Sequence, residues 1–261
     1  MVENDTEEGR VLEQVVALVR EAGAVVMDVY GTDFAVRGKL DASPVTEADE
    51  RAEAVILRGL AAIAPEIPVV AEEAVAAGKI PAVGQRFWLV DPLDGTKEFI
   101  SKNGEFTVNV ALVDASVPKL GVVFAPALDA LYAGVTGMGA WVERGGQRRA
   151  IACRPVPEAG LTVVGSRSHG DAQAMETFLA GRKVAAQRSA GSSLKLCLVA
   201  EGEADVYPRL GRTMEWDIAA GHAVVIAAGG RVDAVAGGAL RYGKPGFENP
   251  HFVAWGLAEA G

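Results

Sequence analysis

The sequence predicts an α+β N-terminal half joined to an α/β C-terminal half, and three observations predict it. Between Phe87 and Glu143, strand-length apolar runs follow one another with almost no helical periodicity between them. Beyond about residue 155, short apolar runs instead alternate with segments of helical spacing. Half of the 261 residues are apolar and 23% are charged, ordinary usage for a packed globular chain. Residues 1–155 and 156–261 are therefore read as two halves with a soft boundary near 150–158 and no flexible linker.

Each element has its own warrant. Val11, Leu12, Val15, Val16, Val19, Val25 and Val26 fall at helical spacing over Glu7 to Val29. Lys39 to Val45 reads as a loop around Pro44, and Thr46-Glu47-Ala48-Asp49 resembles a capping box opening a helix that stops before Pro65. Ile67 to Ala71 and Phe87 to Val90 are strand-length and each ends in carboxylates. Phe106 to Val113, Leu120 to Phe124, Leu131 to Val135 and Ala140 to Glu143 read as successive strands, with a turn at Gly145-Gly146. In the second half the strands are Leu161 to Val164, Val184 to Gln187 and Asp205 to Tyr207. The helices between and after them are Asp171 to Ala180, Ser193 to Ala200 and Trp216 to Ala228.

Charge and cysteine usage narrow the class. With 25 Lys and Arg against 34 Asp and Glu the net charge is −9, which argues against a partner bound by neutralising nucleic-acid phosphates. Small anionic substrates stay open if a metal sits between them and the protein. Cys153 and Cys197 make no metal spacing and no disulfide framework, and the N-terminus is acidic where a secretory leader is basic, so a cytoplasmic protein is expected. The longest apolar run, Ile218 to Ala228, is too short for membrane insertion. The sequence leaves the oligomeric state open, a homodimer included.

The chemistry sits where carboxylates end apolar strands. Glu72 and Glu73 follow Val69-Val70-Ala71, and Asp91 follows Trp88-Leu89-Val90, with Asp94 in Asp91-Pro92-Leu93-Asp94-Gly95-Thr96. A strand stopping at Asp-Pro and turning through Asp-Gly puts both side chains at the sheet edge, where Gly95 lets backbone approach a ligand. The amides after Gly95 would open a helix over Lys97 to Ile100 towards an anion. Converging carboxylates are tolerated when a cation neutralises them, and an all-oxygen donor set suits Mg²⁺. Asp217 and Asp49 are further candidates. Taken singly, each has a plain reading as a turn residue or a helix N-terminal acid.

Asp91-Pro92-Leu93-Asp94-Gly95-Thr96-Lys97-Glu98-Phe99 and Trp216-Asp217-Ile218-Ala219-Ala220-Gly221 resemble the two signatures of the inositol monophosphatase superfamily. Lys97-Glu98-Phe99, Ser43 to Asp49, Asn103 to Asn109, Ser166 to His169, Gly191 to Lys195 and Leu198 to Gly202 resemble its CysQ branch of 3′(2′),5′-bisphosphate nucleotidases. The resemblance implies a layered αβαβα sandwich and Mg²⁺-dependent hydrolysis of a phosphomonoester, with two or three ions per site and sensitivity to Li⁺. By the same resemblance, Glu72, Asp91 and the Leu93 carbonyl hold a first metal, and Asp91, Asp94 and Asp217 a second. A third lies near Glu72 and Asp49. Thr96 with Asp49 orients the attacking water, Gly95 and Thr96 grip the phosphate, and His169, Ser192, Lys195 and Arg209 contact the nucleotide and its other phosphate. The implied substrate is adenosine 3′,5′-bisphosphate from sulfur metabolism, with its phosphosulfate analogue. Inositol 1-phosphate and fructose 1,6-bisphosphate are the alternatives. Arg212 stands where CysQ relatives often have Pro, and taken alone Ser192 reads as the cap of the following helix.

Overall fold

The computed structural model describes residues 6–38, 44–166 and 172–257. The chain begins with α1 (Glu7–Tyr30), β1 (Val36–Gly38), β2 (Pro44–Thr46), α2 (Glu47–Ile63), β3 (Val69–Ala71), α3 (Glu72–Ala76), β4 (Arg86–Asp94) and α4 (Thr96–Ile100). A run of strands follows: β5 (Thr107–Asp114), β6 (Val117–Ala125), β7 (Ala130–Val135), β8 (Gly139–Arg144) and β9 (Gln147–Ile151). Then come β10 (Leu161–Ser166), α5 (Ala172–Leu179), β11 (Val184–Ala190), α6 (Leu194–Ala200) and β12 (Val206–Arg209). The chain closes with α7 (Glu215–Ala227), β13 (Arg231–Ala234) and β14 (Phe252–Trp255).

The helices start where local chemistry starts them. Thr6 caps α1 by accepting from the Gly9 amide at 3.0 Å, and Thr46 caps α2 in a box closed by Asp49. Strands β3 to β9 form one seven-stranded sheet in chain order, parallel only at β3–β4. Strands β10 to β14 form a five-stranded sheet ordered β11-β10-β12-β14-β13.

Pleat alternation shows how these sheets stack. Trp88, Val90, Val110 and Val122 pack with α1 and α2, whereas Leu89, Ala111 and Val123 share a core with α6 and α7. In the second sheet Val164, Tyr207 and Ala254 join that same inner core, while Val163, Val206 and Val253 face Met175 and Phe178 of α5. The layers run α1/α2, seven-stranded sheet, α6/α7, five-stranded sheet, α5, which is the αβαβα sandwich expected. Both faces of the large sheet are buried, which explains its near-continuous apolar strands.

The inner layer depends on glycine at close approaches. A Cβ on Gly121 of β6 would sit 2.2 Å from the Ala220 carbonyl oxygen of α7, and one on Gly221 would sit 2.6 Å from Leu196 of α6. Gly121→Ala is therefore expected to cost about 1–3 kcal/mol through overpacking, lowering the melting temperature by several degrees. An unchanged thermal melt would show that α7 and β6 can part freely.

Several expectations need correction. Strand β4 does not stop at Asp91-Pro92 but runs on to Asp94, with a register shift between Asp91, opposite Asn109, and Asp94, opposite Thr107. Pro92 lacks an N–H, so the ladder slips there instead of ending. Glu72 and Glu73 open the short helix α3. Pro44 and Val45 lie in β2, paired with β1, not in a loop. Strands β9, β13 and β14 are additional. Asp171 lies outside the described residues. Among the described residues no helix is long and apolar enough to cross a membrane, and both cysteines are free and buried.

Candidate active site

The acidic wall of the site comes from the N-terminal layers. Asp91 sits on β4, and its Oδ1 accepts from the Leu93 amide at 3.0 Å, fixing the slip in register. Asp94 follows, and Gly95 takes a left-handed φ of 89° to reverse the chain into α4. Asp49 is buried on the first turn of α2, its Oδ2 accepting from the Thr46 amide and hydroxyl, both at 2.8 Å. Its Oδ1 lies 3.5 Å from Thr96 Oγ1, which is also 3.4 Å from the Leu93 carbonyl oxygen. Thr96 thus bridges the helix cap to the strand end.

Asp217 arrives from the opposite side. It stands on the first turn of α7, with Oδ2 accepting from the Met214 amide at 2.8 Å. The Ser193 hydroxyl donates to the Asp217 carbonyl, and Asn109 Nδ2 donates to Ser193 Oγ at 3.2 Å. Asn109 of β5 is also 3.5 Å from Asp94 Oδ2. Sequence reading missed Asn109 and Ser193 as links across the site; neither had a signal beyond its motif.

The cationic wall belongs to the first turn of α6, with Ser192 just before it, and to the end of β12. Lys195 is buried: its Nζ donates to the carbonyls of Ala190, at 3.3 Å, and Ser192, and lies 5.6 Å from the Tyr207 ring centre. Burial pushes its ammonium down to about 8, against the pull of Asp94. Ser192 does not cap α6; it holds φ at 43°, and its buried hydroxyl has no hydrogen-bond partner among the described residues. Arg209 donates from Nη2 to the Arg212 carbonyl at 2.7 Å, and its buried Nε has no hydrogen-bond partner among the described residues. His169 lies outside the described residues.

Electrostatics tie the acidic residues into one unit. Burial first, then the nearby Glu72, Asp94 and Asp217, hold the Asp91 carboxyl well above the usual carboxylate range. Asp217 is raised by burial and by Asp94 and Glu72. Burial lifts Asp94 to about 6 although Lys195 pulls it down. Among the described residues no three Asp, Glu, His or Cys side chains converge closely enough to form a coordination shell as they stand, in keeping with the mutual repulsion of like charges. An acidic, all-oxygen donor set nevertheless fits Mg²⁺ by its chemistry.

This predicts a pH-dependent response to metal. Unfolded carboxyls titrate near 4 and these titrate higher when folded, so the metal-free fold binds the extra protons. Its stability from this source is complete only below about pH 4, where the unfolded carboxyls are protonated too, and is lost progressively as pH rises from there through about 6. Mg²⁺ cancels that loss, so it should raise the melting temperature more at about pH 8 than at about pH 5.5. Comparing melts with Mg²⁺ and with EDTA at one pH cancels the opposite slope from buried His222, pushed down to about 3. Equal increments at the two pH values would uncouple these carboxyls from metal.

Layered fold and acidic cleft together define a phosphatase class. Residues 7–259 match the model of the inositol monophosphatase family, and the chain belongs to that family. It is 50% identical over 244 residues to the 3′(2′),5′-bisphosphate nucleotidase CysQ of Shigella flexneri, covering 92% of this chain and 98% of that one. The crystal structure of CysQ from Bacteroides thetaiotaomicron superposes with a TM-score of 0.78 at 36% identity, covering 96% of this chain and 98% of that one. An inositol monophosphatase from Anabaena gives a TM-score of 0.72 at 26% identity over 95% and 90% of the two chains.

Proposed function

We propose that this chain is a cytoplasmic, Mg²⁺-dependent 3′(2′),5′-bisphosphate nucleotidase. It removes the 3′-phosphate of adenosine 3′,5′-bisphosphate to give AMP and phosphate, and acts likewise on the phosphosulfate analogue. The observation that carries the reading is the placement of charge: Glu72, Asp91, Asp94 and Asp217 lie within electrostatic reach of one another, Asp49 joins them through Thr96, and Lys195 acts on Asp94 as Arg209 acts on Asp217. A substrate with two separate anionic groups matches both walls.

Glu72, Asp91 and the Leu93 carbonyl would hold one Mg²⁺ ion, Asp91, Asp94 and Asp217 a second, and Glu72 with Asp49 a third. Bound there, Mg²⁺ supplies Lewis-acid polarisation of the phosphoryl group and neutralises its charge. Asp49 Oδ1 accepts the Thr96 hydroxyl proton, leaving the Thr96 oxygen to accept from, and so aim, the attacking water. Backbone amides at Gly95 and Thr96 position the phosphate in line with that water. Lys195, Arg209, Ser192 and His169 bind the second phosphate and the nucleotide. Deprotonation of Lys195 above about pH 8 weakens that grip.

Phosphate release tests the reading, with adenosine 3′,5′-bisphosphate, inositol 1-phosphate and fructose 1,6-bisphosphate compared by kcat/KM, with and without EDTA. The bisphosphate nucleotide should lead by about 100-fold or more, the worth of a charged contact in a desolvated site. Equal rates on the three would remove the nucleotide specificity and leave the metal chemistry.

A further inference from the structure

A buried carboxylate near the site, well satisfied by its partners, is one the proposed chemistry does not use. Glu215 opens α7 two residues before Asp217 and is fully buried. Its Oε2 accepts from the Gly243 amide at 2.8 Å, and its Oε1 from the Lys244 amide at 3.0 Å and from Lys244 Nζ at 2.6 Å. Lys244 Nζ also donates to Asn249 Oδ1 at 3.1 Å and to the Arg241 carbonyl at 2.6 Å. Asn249 then donates from Nδ2 to the Met214 carbonyl at 2.8 Å, and its amide donates to the Thr213 carbonyl at 2.9 Å. The segment 241–249 therefore grips residues 213–215 through one ammonium and one amide side chain. Met214, so gripped, is the residue whose N–H fixes Asp217 Oδ2.

We infer that Lys244, acting through Glu215 and Asn249, is a positioning residue for Asp217, holding its carboxylate at the angle that receives the metal. The inference rests on the reading of Asp217 as a metal ligand. A buried carboxylate deprived of its cation must find another partner or leave its nest. Either response shifts the peptide that orients Asp217, and partners of this kind typically control metal affinity.

The test is Mn²⁺ binding followed by the free-ion magnetic resonance signal, which needs no turnover, together with the Mg²⁺ dependence of phosphate release. Lys244→Met should weaken Mn²⁺ binding and raise the half-saturating Mg²⁺ by about 10–100-fold, the range for losing an outer partner of a metal ligand. Lys244→Arg, which keeps the charge and can reach both Glu215 and Asn249, should recover most of the binding. Asn249→Ala, which spares the buried ion pair, should give a smaller loss in the same direction and serves if Lys244→Met fails to fold. Arg212→Ala, which removes an exposed ion pair with Glu248 of the same segment, should leave Mn²⁺ binding unchanged. A lowered melting temperature with unaltered Mn²⁺ binding in Lys244→Met, or in Asn249→Ala if only that variant folds, would overturn the inference. Wild-type protein that binds Mn²⁺ yet fails to hydrolyse adenosine 3′,5′-bisphosphate would instead overturn the functional reading and leave this one standing.

Discussion

Asp91→Asn is expected to reduce turnover by about 1,000-fold or more, because contributions of a few kcal/mol from each metal contact convert at 1.36 kcal/mol per factor of ten. The fold should survive. Asparagine keeps an acceptor for the Leu93 amide, so the slip in β4 is retained. Replacing one of several crowded like charges also relieves the repulsion that raises Asp91, Asp94 and Asp217. The metal-free variant should therefore melt higher than metal-free wild type at neutral pH, while losing most of the stabilisation by Mg²⁺. Phosphate release and paired melts with Mg²⁺ and EDTA check both halves. Turnover within tenfold of wild type, still abolished by EDTA, would remove Asp91 from the centre of the site.

Lys195→Met should act on the other wall. The loss of a buried cation from the pocket should raise KM for adenosine 3′,5′-bisphosphate by about 30- to 100-fold, some 2–3 kcal/mol, and leave kcat within a few-fold. A substrate with one phosphate, such as inositol 1-phosphate, should be nearly indifferent to the change. Wild-type KM should climb as pH passes about 8, where the ammonium is lost, and the variant should show no such rise. An unchanged KM would confine Lys195 to its backbone contacts with Ala190 and Ser192.

How much of this was legible depended on distance along the chain. The Thr46–Asp49 box and the periodicity of α1 are local, and both elements formed where expected. So did the pairing of Asp91 and Asp94 at a strand end, although not the continuation of β4, because a proline usually ends a ladder unless a bulge absorbs it. Strand β9 is largely polar, and β13 and β14 are four residues each with glycine-rich sequence between them; the apolar run Phe252 to Trp255 is too short to declare itself a strand without its partners β12 and β13. The grip of Lys244 on Glu215 spans 29 residues and looks like an ordinary surface charge beside Pro245. Lys195 was singled out only through the resemblance, and its burial beside the Tyr207 ring depends on β12, which is remote in the chain.

The helix α7 touches the large sheet at β4 through β8 and the small sheet at β13, while its first turn is tied by Ser193 to the turn that carries Lys195. With Gly121 and Gly221 leaving no slack on either side, the two walls behave as the fixed jaws of a caliper. On the reading proposed above, such a site would gauge the spacing of two anionic groups more than the scaffold joining them. On that reading the cut itself would undo the fit: AMP keeps one phosphate and would engage one jaw.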